Sequence, residues 1–138
     1  MSQFEERCFE TDDGLTLYCR DYVAPTPSAA TVVCLHGLSR NSRDFQDLAP
    51  VLNQHFRVLV PEQRGRGRSD YDAVPSRYNL MQYVHDTYAM LVAFHCERVS
   101  VVGTSMGGLM TFALNALHPL LIHRAVINDI GPDIAPAG

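Results

Sequence analysis

The sequence contains no long apolar run. None of its hydrophobic stretches approaches the roughly 18 residues that a membrane-spanning helix requires. The N-terminal segment MSQFEER is charged and has no apolar part of the kind found in secretory signal peptides. We therefore expect a cytoplasmic location and no membrane partner.

The sequence also has few cysteines and no recognisable metal-binding pattern. Its four cysteines form no C-x-x-C pair, and none lies at a zinc-ligand spacing from the six histidines. This pattern predicts reduced thiols in the core and no bound metal. Cys8 and Cys19 flank a turn at Asp13-Gly14, so their side chains could face each other across a hairpin.

An excess of positive charge is absent as well. Charged residues make up 19% of the 138 residues and the net charge is -4, which gives no reason to expect nucleic acid as a partner. The densest positive segment holds Arg64, Arg66 and Arg68, and we interpret it as a solvated loop. A hydrophobic fraction of 46% is typical of a single globular domain.

Short apolar segments alternate with helical patterns along the chain. Asp13-Gly14 predicts an N-terminal β-hairpin, apolar strands precede His36 and Gly103, and Asn79 followed by Gln82 predicts a helix start. The residues expected on the buried side of that helix are Leu80, Tyr83, Val84, Thr87, Tyr88, Leu91 and Val92. The alternation predicts an α/β fold with a mostly parallel, doubly wound sheet of about six strands, covered on both faces.

A G-x-S-x-G segment joins an apolar strand to a helical stretch. It runs from Gly103 to Gly107 and has Ser105 at its centre. A sharp turn of this kind exposes the central side chain and strains its backbone, and the small residues Gly103 and Gly107 make the turn possible. We therefore predict that Ser105 is a nucleophile with a positive φ. The amide of Met106, at the helix start, then faces the negative charge that develops on a substrate.

Three segments together resemble landmarks of the α/β-hydrolase family. They are His36-Gly37, the Arg64-Gly65-x-Gly67-x-Ser69 loop and the segment around Ser105, and they follow three successive strands in the family's order. Asn128 to Pro132 also resembles the segment that leads into the family's variable cap. The sequence departs from the family pattern at Glu62-Gln63, where relatives often carry aspartate, and it stops earlier than a typical family member.

The resemblance implies a serine hydrolase that cleaves an ester or a similar acyl bond through an acyl-serine intermediate, as carboxylesterases and lipases do. The amides of Leu38 and Met106 would form the oxyanion hole, and His36 and Gly37 would shape the site beside them. Water is then the second substrate, the partner is a small ester-like molecule, and no cofactor is expected. The family's cap forms the walls of the substrate pocket, so the acyl and leaving groups stay open.

The carboxyl ends of parallel strands meet at one edge of a sheet, and the predicted site lies there. This arrangement places His36, Ser105 and Asp129 together, and it places His118 and His123 at the opposite edge. Asp129 is a candidate for the acid that orients the catalytic histidine. Alternatively, it is a residue at the entry to the cap and binds backbone amides. In the family the acid and the histidine follow later strands, which implies that residues 1–138 are the N-terminal part of a single domain without the cap and last strands. The remainder of the hydrolase, or another chain, is expected to cover the edge of the final strand.

Two other functional classes stay open. A non-catalytic receptor or interaction module can be built on the same scaffold, because fold does not fix function. A dinucleotide-binding domain would also have a strand, a glycine turn and a helix. The chain has no G-x-G-x-x-G, however, and His123 stands where a ribose-binding acid would be required.

Overall fold

The computed structural model describes residues 4–128, which form a six-stranded mixed sheet with helices on both faces. The elements in chain order are β1 (Glu5–Glu10), β2 (Thr16–Tyr22), β3 (Thr31–Leu35), α1 (Leu48–Leu52), β4 (Arg57–Pro61), α2 (Leu80–Ala93), β5 (Val99–Thr104), α3 (Met106–Leu117) and β6 (Ile122–Asn128). Two 3-10 helices, Ser42–Phe45 and Pro75–Arg77, lie in the connecting segments.

The strand order is β1-β2-β4-β3-β5-β6. β1 and β2 form an antiparallel hairpin, and β2 joins β4 in the antiparallel sense. β4, β3, β5 and β6 all run parallel to one another. The predicted α/β fold, with a mostly parallel sheet and an N-terminal hairpin, is therefore confirmed.

Side chains alternate between the two faces of the sheet and build two separate apolar clusters. α2 and α3 cover one face, where Leu35, Leu59 and Met110 are buried. The 3-10 helix Ser42–Phe45 and α1 cover the other face, where Val58 and Phe45 are buried. None of the helices within residues 4–128 is both long and apolar enough to cross a membrane.

The start of α2 is confirmed, and its buried side departs from the prediction at Val92. The side chain of Asn79 accepts a hydrogen bond from the amide of Gln82 at 2.8 Å and caps the helix. Val92, expected to be buried, is 58% exposed, and Met90 is fully buried instead. The buried residues include Tyr83, Val84, Thr87, Met90 and Leu91, which recur every three or four positions. Because this spacing defines one side of a helix, Val92 points away from the core.

The hairpin register separates the two thiols that could have faced each other. Cys8 lies opposite Tyr18, and Cys19 lies opposite Arg7. Cys8 and Cys19 are thus offset by one residue and point to opposite faces, because the side-chain period of a strand is two. Cys8 is exposed, Cys19 is buried, and both are free thiols.

β6 lies at an edge of the sheet. Within residues 4–128 no strand pairs with its outer side, and Val126 is 61% exposed. α3 packs on one face of β5 and β6, while α1 lies over β4 on the other face. Val126 of β6 is therefore open to solvent in the described part of the chain.

Candidate active site

The loops that follow the parallel strands meet around Ser105. Ser105 comes directly after β5, and its amide donates a hydrogen bond to the carbonyl of Asn128 at 3.0 Å, at the end of β6. The loop after β3 is equally close, since a Cβ built on Gly37 would lie 3.6 Å from the Cβ of Ser105. Asp129 is the next residue after β6 in the sequence and lies outside the described residues.

His118 and His123 lie at the other end of the sheet. Ile122, at the start of β6, pairs with Val99 at the start of β5, so His123 belongs to the end remote from Ser105. His118 precedes β6, and its ring stacks on Tyr88 with centroids 3.7 Å apart. The prediction that these two histidines lie opposite the site is confirmed.

The backbone of Ser105 is strained. Its φ is 54° and its ψ is -114°, a conformation that residues with a Cβ rarely adopt. Such a conformation costs on the order of 1–3 kcal/mol and persists only where the surrounding structure imposes it. The predicted positive φ is therefore confirmed. The Ser105 side chain makes no hydrogen bond within residues 4–128, so its hydroxyl is available to a reacting group.

The two glycines beside Ser105 allow α3 to pack directly on the sheet. A Cβ on Gly107 would overlap the backbone carbonyl of Leu35 in β3, and a Cβ on Gly103 would lie 2.7 Å from the hydroxyl of Thr111. Neither contact leaves room for a side chain. Gly37 is different, because a Cβ there would make ordinary contacts. A side chain at Gly37 would instead narrow the space next to Ser105.

The backbone amides of Leu38 and Met106 are the candidate oxyanion donors. In the described part of the chain, neither backbone N–H donates a hydrogen bond. Met106 is the first residue of α3, whose N-terminus concentrates partial positive charge. Leu38 lies at the centre of a turn closed by a 3.2 Å hydrogen bond from the amide of Arg40 to the carbonyl of Gly37. The two loops that meet at Ser105 thus each present an unused donor.

His36 organises the loop after β3. The ring is buried, its Nε2 accepts a hydrogen bond from the amide of Gln63 at 3.1 Å, and its Nδ1 lies 2.7 Å from the carbonyl of Gly37. Nδ1 must therefore carry the proton and donate it to that carbonyl. Burial lowers the pKa of His36 and keeps the ring neutral. With both nitrogens engaged, His36 has none available for the hydroxyl of Ser105.

Glu62 holds the loop after β4 rather than joining the reacting groups. Its buried carboxylate accepts hydrogen bonds from the amide and hydroxyl of Ser42 at 3.0 Å and from the amide of Arg68 at 2.8 Å. A Cβ on Gly67, which has a φ of 53°, would overlap this carboxylate. A glutamate at this position is accommodated by a turn that closes tightly around it.

The three arginines of this loop are not one solvated cluster, as the sequence had suggested. Arg68 is exposed and Arg66 is half-buried, but Arg64 is fully buried. The guanidinium of Arg64 bonds three carboxylates at 2.7–2.8 Å. These belong to Asp13, Asp72 and Asp86, which are distant in sequence, so no local pattern marked the network. It fixes the loop against α2 and the hairpin turn.

Acid is expected to weaken this network. The hydrogen bond from Arg64, helped by one from Thr11, lowers the pKa of Asp13 from 3.8 to about 2. Because the folded pKa is the lower one, the carboxylate contributes stability above about pH 4, and this contribution is lost as the pH falls toward the folded value. We expect urea denaturation to show Asp13→Asn less stable than the wild type near neutral pH, with the two converging in acid. Parallel stability curves across this range would contradict the assignment.

Comparisons with known proteins identify the family. The family model described as alpha/beta hydrolase fold matches residues 30–137. The chain is 40% identical over 106 residues to a 3-hydroxybutyrate-oligomer hydrolase of Cupriavidus necator, covering 77% of this chain and 36% of that protein. It is 37% identical over 107 residues to a putative carbamate hydrolase of Yersinia enterocolitica, covering 78% of this chain and 38% of that protein.

Solved structures agree with these sequence matches. A crystal structure of an alpha/beta hydrolase from Novosphingobium aromaticivorans superposes with a TM-score of 0.95 at 47% identity, covering 100% of this chain and 48% of that one. An epoxide hydrolase from Vigna radiata has a TM-score of 0.84 at 20% identity, which is a likeness of fold alone. The chain spans less than half the length of these relatives. It belongs to the alpha/beta hydrolase family.

Proposed function

We propose that this chain carries the nucleophile and the oxyanion hole of a serine hydrolase that cleaves an ester or a similar acyl bond. The observation that carries the proposal is the conformation of Ser105. A non-glycine residue with a φ of 54° and a ψ of -114° between a strand and a helix has an energetic cost. That cost is understandable if the turn serves to present the hydroxyl beside the free amide of Met106.

In the proposed reaction, a base removes the proton of the Ser105 hydroxyl while Oγ bonds to the carbonyl carbon of the substrate. The carbonyl π electrons move to its oxygen, and the amides of Met106 and Leu38 donate hydrogen bonds to that anion. When the tetrahedral intermediate collapses, the bond to the leaving group breaks and the base returns the proton to it. Water then attacks the acyl-serine in the same way and releases the acid product and free Ser105. No cofactor takes part in this scheme.

The orientation of the Leu38 amide supports its role as the second oxyanion donor. The preceding carbonyl, that of Gly37, is held by the ring of His36 and by the amide of Arg40. In a trans peptide the N–H points away from the carbonyl of the same unit. The N–H of Leu38 is therefore directed away from its own loop, and this loop lies against Ser105.

The base of the reaction is proposed to come from outside residues 4–128. Within this range the ring of His36 is fully hydrogen-bonded, and His118 and His123 lie at the remote end of the sheet. His55 and His95 precede β4 and β5 and so lie toward the same remote end, and His85 pairs with Asp12. Residues 129–138 contain no histidine. We propose that a later segment of the polypeptide, or another chain, supplies the histidine together with the orienting acid. Asp129 remains a candidate for that acid. Its alternative role is to bind backbone amides at the entry to the cap.

The same segment is proposed to cover β6. The strand presents an unpaired parallel edge within the described residues, and its apolar side chain Val126 is 61% exposed. Such an edge promotes association with other strands unless it is covered. We expect residues 1–138 alone to self-associate in sedimentation velocity. We expect no such association for the complete gene product, by which we mean the protein with the proposed later segment. Equal behaviour of the two samples would argue against the covering segment.

The names of the curated relatives bear on the substrate. One is named for 3-hydroxybutyrate oligomers and another for carbamate. An ester and a carbamate share an electrophilic carbonyl group, and an oxyanion hole stabilises the negative charge that develops on its oxygen. We therefore propose a small substrate with an acyl-carbon bond of this kind and assign no specific acyl or leaving group.

Labelling by a fluorophosphonate tests the proposed function. The reagent phosphonylates an activated serine, so we expect it to label the complete gene product at one site, with protection by p-nitrophenyl acetate. Residues 1–138 alone are expected to react slower by several orders of magnitude, because the base is missing. A passive binding module on the same scaffold would not be labelled in either form. Rapid labelling of residues 1–138 alone would contradict the external base.

A further inference from the structure

Arg66 links the loop after β4 to the loop after β3. Its Nε donates a hydrogen bond to the carbonyl of Leu38 at 2.9 Å, and one terminal nitrogen donates to the carbonyl of Arg64 at 3.0 Å. The guanidinium also lies over the ring of Tyr83 in α2, 4.8 Å from its centroid. One side chain therefore connects two site loops to a buried helix.

The turn that carries Leu38 depends on these hydrogen bonds for its position. The Leu38 side chain is 63% exposed, so packing does not fix it. The peptide before Leu38 is held through the carbonyl of Gly37 by His36, and the peptide after it is held through its own carbonyl by Arg66. The Leu38 N–H belongs to the first of these peptides, and the hydrogen bond from Arg66 restrains the second, so the backbone is held on both sides of the Leu38 Cα.

Arg66 also differs from the neighbouring arginines in having no ion pair within the described residues. Arg40 pairs with Asp44, Arg64 with three aspartates, and Arg68 with Glu6. No carboxylate in the described range lies within ion-pair distance of Arg66. Arg66 is therefore without an ion-pair partner in that range, and its guanidinium lies beside the Leu38 turn, where negative charge develops in the proposed reaction.

We propose that Arg66 is a positioning residue of the oxyanion hole, holding the Leu38 amide toward the developing oxyanion. The inference rests on the proposed function, in which that amide is a donor. An interaction that improves the transition state more than the bound substrate changes kcat rather than KM. Loss of Arg66 is therefore expected to act on kcat.

The test compares Arg66→Gln, Arg66→Lys and Arg68→Gln in the complete gene product with p-nitrophenyl acetate. Arg66→Gln is expected to lower kcat by about 10- to 100-fold, less than the loss of an entire oxyanion donor, with KM changed by less than about twofold. Arg66→Lys keeps the charge but lacks the planar fork of donors that reaches the two carbonyls, so it is expected to recover part of the loss. Arg68→Gln, a charge removed from the same loop without contact to Leu38, is expected to leave kcat unchanged.

Hydrogen exchange supplies a readout that does not depend on activity. The Arg40 amide closes the turn around Leu38, and we expect it to exchange about 10-fold faster in Arg66→Gln than in the wild type or in Arg68→Gln. Unchanged kcat in Arg66→Gln, equal losses in Arg66→Gln and Arg68→Gln, or unchanged exchange would each overturn the inference. A wild type without Ser105-dependent turnover would instead overturn the proposed function, and the positioning role with it, even if exchange changed as expected.

Discussion

Replacing Ser105 by alanine is expected to lower kcat for p-nitrophenyl acetate by about 10⁴- to 10⁶-fold in the complete gene product, the range typical of a lost serine nucleophile. The substitution removes an oxygen that has no hydrogen-bond partner within residues 4–128. The glycines on either side, which make the turn possible, are retained. We therefore expect little loss of stability, measured by thermal unfolding, alongside the loss of turnover.

Ser39→Ala is the matched control for this experiment. Ser39 is an exposed serine in the turn next to the site, and the proposed reaction does not use its side chain. Its substitution is expected to leave kcat within about twofold of the wild type, as for most surface changes. Turnover that persists in Ser105→Ala would remove the serine-hydrolase assignment, whatever the control shows.

Gly107→Ala is expected to reduce the free energy of unfolding by about 3 kcal/mol or more, the upper part of the range for overpacked sites. The added Cβ would overlap the carbonyl of Leu35, a backbone atom of β3 that cannot rotate away. Alanine is about 1 kcal/mol better than glycine inside a helix, so the helical preference acts in the opposite direction. A measured destabilisation would therefore report the close contact between α3 and the sheet.

Gly14→Ala separates steric overlap from backbone strain in the same denaturation experiment. Gly14 has a φ of 92°, but a Cβ there would meet no atom within 4 Å. Only the cost of the left-handed backbone is expected, about 1 kcal/mol. If Gly107→Ala were as stable as the wild type, the packing of α3 on β3 would be looser than the structure implies.

The fold could be predicted from the sequence where the signals are local. Asp13-Gly14 marked the hairpin, Asn79 marked the start of α2, and the G-x-S-x-G segment marked the turn with a positive φ at Ser105. Each depends on residues within a few positions of one another. The exposure of Val92 was missed because Met90 and Val92 are both apolar, and packing determines which one is buried.

The parts of the site that the sequence did not reveal depend on distant residues. The carboxylates around Arg64 come from the hairpin turn, the loop and α2, so their shared partner emerges only from the fold. The hydrogen bond from Arg66 to Leu38 joins residues 28 positions apart. In the sequence, both arginines look like members of one exposed basic loop.

The most direct test of the central claim is to locate the covalent intermediate. The complete gene product, acid-quenched during turnover of p-nitrophenyl acetate, is digested and its peptides are examined by mass spectrometry. We predict one added acetyl group on the peptide that contains Ser105, assigned to that residue by fragmentation and absent from the Ser105→Ala variant. An active enzyme whose acetyl group is found on another residue would contradict the account.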